Sequence, residues 1–393
     1  MRTLEEARSE MLAVIDPLGT AALPLVDAAG RLLAVDAAAV IDLPRFDNSA
    51  MDGYAVQAAE AGTGAKLQCI GEVPAGSEFD GELGDGQCAR IFTGSPLPAG
   101  ANAVVMQEDT RVDGSTVEIT DGVKPFEHVR LRGEDVKAGE CIGQAGMKLQ
   151  AGQLQLLGAA GVAEVTVFRR PVIGVLATGD ELCEPGTELG AGGIYESNRL
   201  ALAALIRDAG AEPRVFPLVP DTMEATVDAL KGAFAECDAV VTSGGVSVGE
   251  HDYVKSAFEQ LGGSLEFWRV KIKPGKPFVF GRLGGKPLFG VPGNPVSAMV
   301  TFLVLVRPAI LQMQGAADLD LPSHPGVLAD PFANRGDRRH FMRVHADAAG
   351  NVYAAGLQAS HAVGPFGKAN GLVDVPPETS LAEGAPVKVL RFS

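Results

Sequence analysis

The sequence predicts an α/β fold flanked by β-rich parts (α/β plus β), and three observations carry that expectation. Between residues 171 and 314 strand-like and helix-like patterns alternate. Between 43 and 145 short β-like runs are separated by glycine, proline and acidic turns. After residue 321 the chain is again proline-rich and β-like. Alternation of the first kind marks a parallel or mixed sheet, with ligands expected beyond the carboxyl ends of its strands.

Each element has its own reason. Thr3 and Glu6 have capping-box spacing, and Leu4, Ala7, Met11, Leu12 and Ile15 recur at helical intervals, so a helix is expected over 4–15. The runs 67–70, 103–106 and 116–119 read as strands of a small inserted β domain. Residues 153–167 return to an apolar, alanine-rich pattern that closes the element opened before the insertion. The run 172–177 is apolar throughout, which suits a strand covered on both faces. Ser197 is placed to cap a helix ending near Gly210. Asp221 with Glu224 repeats the cap signature ahead of 225–235. Residues 239–242 form the next buried strand, and 296–314 a long apolar helix. Strands at 343–346, 352–355 and 386–390 complete the chain. The expected domains are 1–43 with 141–170, the insertion 44–140, the α/β domain 171–318, and a C-terminal β domain 319–393.

Composition narrows the function. The chain has 393 residues, 46% of them hydrophobic, enough for a large core divided among about two to four domains. Its formal charge of −16 disfavours nucleic acid and anionic membrane as partners. A small anionic ligand remains compatible, because exposed charges fade over a Debye length of roughly 8 Å at physiological salt. The five cysteines are odd in number and scattered, with no C-x-x-C pair, which argues against structural zinc and a disulfide framework. The amino terminus lacks an apolar signal core, and no stretch of ~20 residues is apolar without a charge. A cytoplasmic protein is expected.

The chemistry concentrates between Thr242 and Ser297. The turn Ser243-Gly-Gly-Val-Ser-Val-Gly249 is followed by Glu250, His251 and Asp252. Then come the block Arg269-Val-Lys-Ile-Lys-Pro-Gly-Lys276 and a second turn, Pro292-Gly-Asn-Pro-Val-Ser297. Each turn joins an apolar strand-like run to a helical pattern, so backbone amides point at open space and favour an anion. Pro274 and Gly275 bend the chain so that Lys273 and Lys276 converge. Thr178-Gly-Asp-Glu181 places carboxylates at a strand end. Asp221 reads as a helix cap or as a metal carboxylate. Acids beside a phosphate cradle suit Mg²⁺, where one or two carboxylates and substrate phosphates share the ion. The absence of a Walker lysine motif lowers the ordinary kinase reading.

Seven strings in order resemble the MoeA/gephyrin-E family of molybdopterin molybdenumtransferases. They are Phe46-Asp-Asn-Ser-Ala-Met-Asp-Gly-Tyr54, Arg90-Ile-Phe-Thr-Gly94, Arg132-Gly-Glu-Asp135, Thr178-Gly-Asp-Glu-Leu182, the turn 243–249, Lys273-Pro-Gly-Lys-Pro277 and Gly290-Val-Pro-Gly-Asn-Pro-Val-Ser297. The resemblance implies a homodimer of elongated four-domain subunits, each with a central molybdopterin-binding-type α/β domain. It places the site between that domain of one chain and the β insertion of the other. It implies a reaction of adenylylated molybdopterin with molybdate, giving molybdenum cofactor and AMP with Mg²⁺, and contact with other proteins of the same biosynthesis. Asp52, Thr93, Asp135, Glu181, Asp221, Asp252 and Lys273 fall on catalytic positions, with Glu181, Asp221 and Asp252 as metal ligands. Substrate-binding positions fall on Arg130, Asn198, Ser243, Gly244, Gly245, Ser247, Lys276, Pro292, Asn294, Ser297 and Arg343. Two departures stand out: Arg269 where lysine is frequent, and Gly364-Pro365 where the family favours hydroxyls.

Overall fold

A computed structural model describes residues 1–246 and 252–392. Ser247, Gly249, Glu250 and His251, singled out above, lie outside the described residues.

At the centre is a six-stranded mixed sheet. Its order runs Glu212–Val215, Val172–Ala177, Ala239–Ser243, Lys286–Val291, Val279–Leu283 and Ser264–Phe267. The first four strands are parallel, the fifth runs opposite to them, and the sixth, antiparallel to the fifth, runs with the first four again. Alternation along Val172–Ala177 explains its continuous apolarity. Ile173 and Val175 face one core, with helix Asn198–Asp208 and the long apolar helix, while Leu176 faces another, with helices Met223–Glu236 and Val254–Gln260. A strand packed on both faces has no polar side to show. The long apolar helix runs from Pro295 to Met313, is mostly buried, and widens into a π-helical segment at Phe302–Val306.

The insertion is a six-stranded sheet in the order Ala103–Met106, Gly53–Val56, Gln87–Ile91, Lys66–Val73, Thr116–Ile119, Thr110–Asp113. Before and after it, Thr20–Pro24 pairs antiparallel with Glu164–Phe168. The apolar pattern at 153–167 resolves into helix Ala151–Ala159 and the strand Glu164–Phe168. The first helix, Leu4–Leu12, has the expected capping box. Its buried face, Leu4, Ala7 and Met11, packs into the core of the central α/β sheet, however, and not with the 20–43 and 141–170 elements with which it had been grouped.

In the C-terminal part, strands Arg339–Ala346, Asn351–Ala354, Ser323–Leu328, Pro386–Arg391 and Gly371–Val375 are neighbours in that order. Gly371–Val375 pairs back to Arg339–Ala346, which closes a five-stranded ring. To this ring the lysine block adds a sixth strand. Ile272 and Lys273 pair in parallel with Arg339 and His340, and Arg338 Nη1 donates to the Ile272 carbonyl. The block is thus a strand on the rim of another domain, which no local pattern announced.

Candidate active site

The carboxyl ends of the parallel strands open on a cavity of about 700 Å³. Ala239–Ser243 ends at Gly244 and Gly245, whose φ values are +86° and +65°. A Cβ on Gly244 would lie 2.8 Å from the Thr178 carbonyl oxygen, and one on Gly245 would lie 2.5 Å from Val254 Cγ2. Only glycine fits this turn, on conformational and on steric grounds. Trp268, the sole tryptophan, fixes the next residue: its indole N–H donates to the Val246 carbonyl at 2.9 Å. Its ring lies between the Lys255 ammonium, 3.5 Å from the ring centre, and the Arg269 guanidinium at 4.2 Å.

The second turn is tied to the first through Asn198. Its Nδ2 donates to Ser243 Oγ and to the Gly293 carbonyl, both at 2.7 Å. Pro292, Asn294 and Pro295 then line the cavity with Ser243, Gly244 and Gly245. The two turns therefore form one wall.

Three acids expected from the sequence line the same cavity: Glu181, Asp221 and Asp252. Asp221 is not the helix cap. The cap is Thr222, whose Oγ1 accepts from the Ala225 amide at 3.3 Å. Asp221 instead exchanges backbone-to-carboxylate hydrogen bonds with Asp180: its amide donates to Asp180 Oδ1 at 3.0 Å, and its Oδ2 accepts from the Asp180 amide at 3.4 Å. Ser197 precedes helix Asn198–Asp208 without capping it by its side chain, and Glu196 accepts from the Arg199 amide instead. Among the described residues no three His, Cys, Asp or Glu side chains gather in a metal-binding cluster. The acids are hard oxygen donors on one wall, a set that fits an ion completed by substrate oxygens and not a protein-only cage.

The remaining candidates fall in two other places. Asp52, Thr93, Arg130 and Asp135 are exposed on the insertion. The motif strings that carry them do converge there. Thr93 donates through its amide and hydroxyl to Asp52 Oδ1 at 2.8 and 3.0 Å, Arg130 pairs with Asn48, and the Arg132 amide donates to Asp47. The Thr93 amide, then its hydroxyl, hold the Asp52 carboxyl below the usual carboxylate range. None of the four lines the cavity of its own chain.

Lys273, Lys276, Ser297 and Arg343 are not brought to the cavity wall either. Lys273 and Lys276 are exposed beside it, Lys276 preceding the cavity-lining Pro277, while Ser297 is buried in the helix after the second turn. Arg343 corrects a sequence expectation. Its guanidinium is 2% exposed and donates to the carbonyls of Leu357 and Ala359. Beneath the lysine strand, burial and then the neighbouring cations, Lys273 first, push His340 down to about 4.

Glu196 and His361 are among the cavity residues that escaped sequence reasoning. Glu196, 3% exposed, forms a buried ion pair with Arg199 at 3.0 Å. His361 reaches the cavity from the C-terminal part. The i, i+3 spacing of Glu196 and Arg199 was a visible signal; for His361 there was none.

Fold and site together define an α/β protein with a cavity at its strand ends, between two glycine turns and a group of acids. Comparison with known proteins makes that class specific. Residues 2–161 match the MoeA N-terminal region (domain I and II), 174–312 a probable molybdopterin binding domain, and 325–392 the MoeA C-terminal region (domain IV). A molybdopterin molybdenumtransferase of Haemophilus influenzae is 38% identical over 100% of this chain and 99% of its own length. Molybdopterin molybdenumtransferase 2 of Mycobacterium tuberculosis is 38% identical over 99% of each chain. The crystal structure of a MoeA protein of molybdopterin biosynthesis from Pyrococcus horikoshii superposes with a TM-score of 0.86 at 33% identity, covering 100% and 99% of the two chains. The chain belongs to the MoeA family.

Proposed function

We propose that this protein is a molybdopterin molybdenumtransferase of molybdenum cofactor biosynthesis. In this reading it takes adenylylated molybdopterin and molybdate and releases AMP. The observation that carries the proposal is the single wall formed by two glycine turns, faced by Glu181, Asp221 and Asp252. The Gly244–Gly245 turn, whose Gly244 amide is already tied to the Val291 carbonyl, receives the pyrophosphate through the amides that follow it. Lys273 and Lys276, beside Pro277, draw the molybdate dianion to the end of the cavity formed by the second turn. A molybdate oxygen attacks the adenylyl phosphorus and leaves with AMP. The anhydride oxygen stays on the molybdopterin phosphate, and the dithiolene sulfurs take the molybdenum.

Asp221 and Asp252, with Glu181, would hold Mg²⁺ together with phosphate oxygens; when bound, the ion neutralises charge at the anhydride. The chain's own groups do the rest. Fixed amides and ammonium groups stabilise charge on the transferring oxygens without reorganising during the reaction.

Purified protein mixed with adenylylated molybdopterin and Mg²⁺ should release AMP only when molybdate is added. AMP release indifferent to molybdate would count against molybdenum transfer.

We also infer that the exposed Asp52–Thr93–Arg130–Asp135 face completes the cavity of a second copy, since it does not line its own. Mixed dimers of Asp52→Ala and Asp252→Ala chains should then recover activity that each variant alone lacks. Demonstrated heterodimers with no recovery would put the whole site within one chain.

A further inference from the structure

Among the described residues, no lysine or arginine side chain lines the cavity, and His361 is its only imidazole. A molybdate dianion entering past Glu181, Glu196, Asp221 and Asp252 therefore meets four acids. Backbone amides and nearby lysines favour it, and beside neutral hydroxyl and amide side chains the wall itself carries one imidazole.

The structure holds in place the loop that carries it. The loop over residues 357–361 is fastened from below by Arg343, which donates to the carbonyls of Leu357 and Ala359. The Arg343 amide donates to Gln358 Oε1 at 2.9 Å, and Gln358 Nε2 returns a bond to the Arg343 carbonyl at 2.9 Å. From the other side, the Val296 amide donates to the Ser360 carbonyl at 3.3 Å. Val296 lies between Pro295 and Ser297, so this last bond sets the loop that carries His361 against the second turn.

We propose that His361 contacts molybdate at the second turn, and that Arg343 serves this contact by positioning the loop. The proposal rests on the reading of the cavity given above and adds a residue from the C-terminal ring to it. It also gives the buried Arg343 a role that its position allows: its Nη1 and Nη2 hold two carbonyls of the loop that carries His361.

The test is titration of the full-length protein with sodium molybdate and, separately, with AMP. His361→Ala should weaken molybdate binding roughly tenfold, the worth of one hydrogen bond to a charged group. AMP affinity should stay within about twofold, because the nucleotide side of the cavity is untouched. His361→Gln, which keeps an N–H donor, should recover part of the loss. Unchanged molybdate affinity in His361→Ala overturns the proposal, as does an equal loss of AMP and molybdate binding. A wild-type protein that binds neither ligand overturns the underlying reading of the cavity itself.

Discussion

Gly245→Ala should abolish measurable nucleotide binding while leaving the protein folded. The new Cβ would stand 2.5 Å from Val254 Cγ2 and 3.0 Å from Thr178 Oγ1, on a backbone with φ of +65°. Left-handed backbone costs an alanine roughly 1 kcal/mol, and forcing a methyl into a packed neighbour costs a further ~1–3 kcal/mol. Val254 is 1% exposed and cannot turn aside freely. The strain is relieved by moving the turn, and moving the turn misdirects its amides. An AMP affinity at least ~30-fold weaker is expected by titration, with a melting temperature lowered by only a few degrees. Gly262→Ala is the control: it has a positive φ of +85° but open space around the added carbon. If both variants bind AMP like the wild type, the glycine turn is a mere connection.

Arg199→Met should be the most destabilising single change near the site. Arg199 joins Glu196 at 3.0 Å and Glu184 at 2.7 Å, and its Nη1 donates to the Phe216 carbonyl at 2.6 Å. The side chains of Arg199 and Glu196 are 5% and 3% exposed. Removing the cation strands a buried carboxylate, at a cost of about 3–5 kcal/mol. A fall in melting temperature of roughly 5 °C is expected by calorimetry for a chain of this size. Adding Glu196→Gln should return part of the loss, because the stranded charge disappears with it. A double variant no more stable than Arg199→Met would mean that the energy lies elsewhere.

Much of this architecture was legible because its causes are local. The strands at 172–177 and 239–243 are written in continuous apolar runs, and the Thr3–Glu6 box fixes where the first helix starts. The two glycine turns were legible as tight strand-end turns because their glycines directly follow apolar runs. What failed was long-range or one residue out of place. Thr222, not Asp221, adopts the extended cap conformation, a choice between neighbours that spacing alone does not make. The pairing of Lys273 with His340 joins residues far apart in sequence, and the burial of Arg343 depends on a loop that folds over it. A basic block reads as exposed charge whether or not its backbone belongs to a distant sheet. His361 stood in a segment noted only for its missing hydroxyls, and nothing short of the folded loop connects it to the cavity.

The C-terminal ring is joined to the α/β domain along several lines at once. The chain enters it after the apolar helix ending at Met313, and the ladder from Ile272 and Lys273 to Arg339 and His340 ties its rim. The Val296 amide donates to the Ser360 carbonyl, and Phe341 and Leu372 share the core of the central sheet. A body fastened both by backbone and by close-packed side chains moves with its support, so His361 travels with the sheet whose strand ends it overlooks.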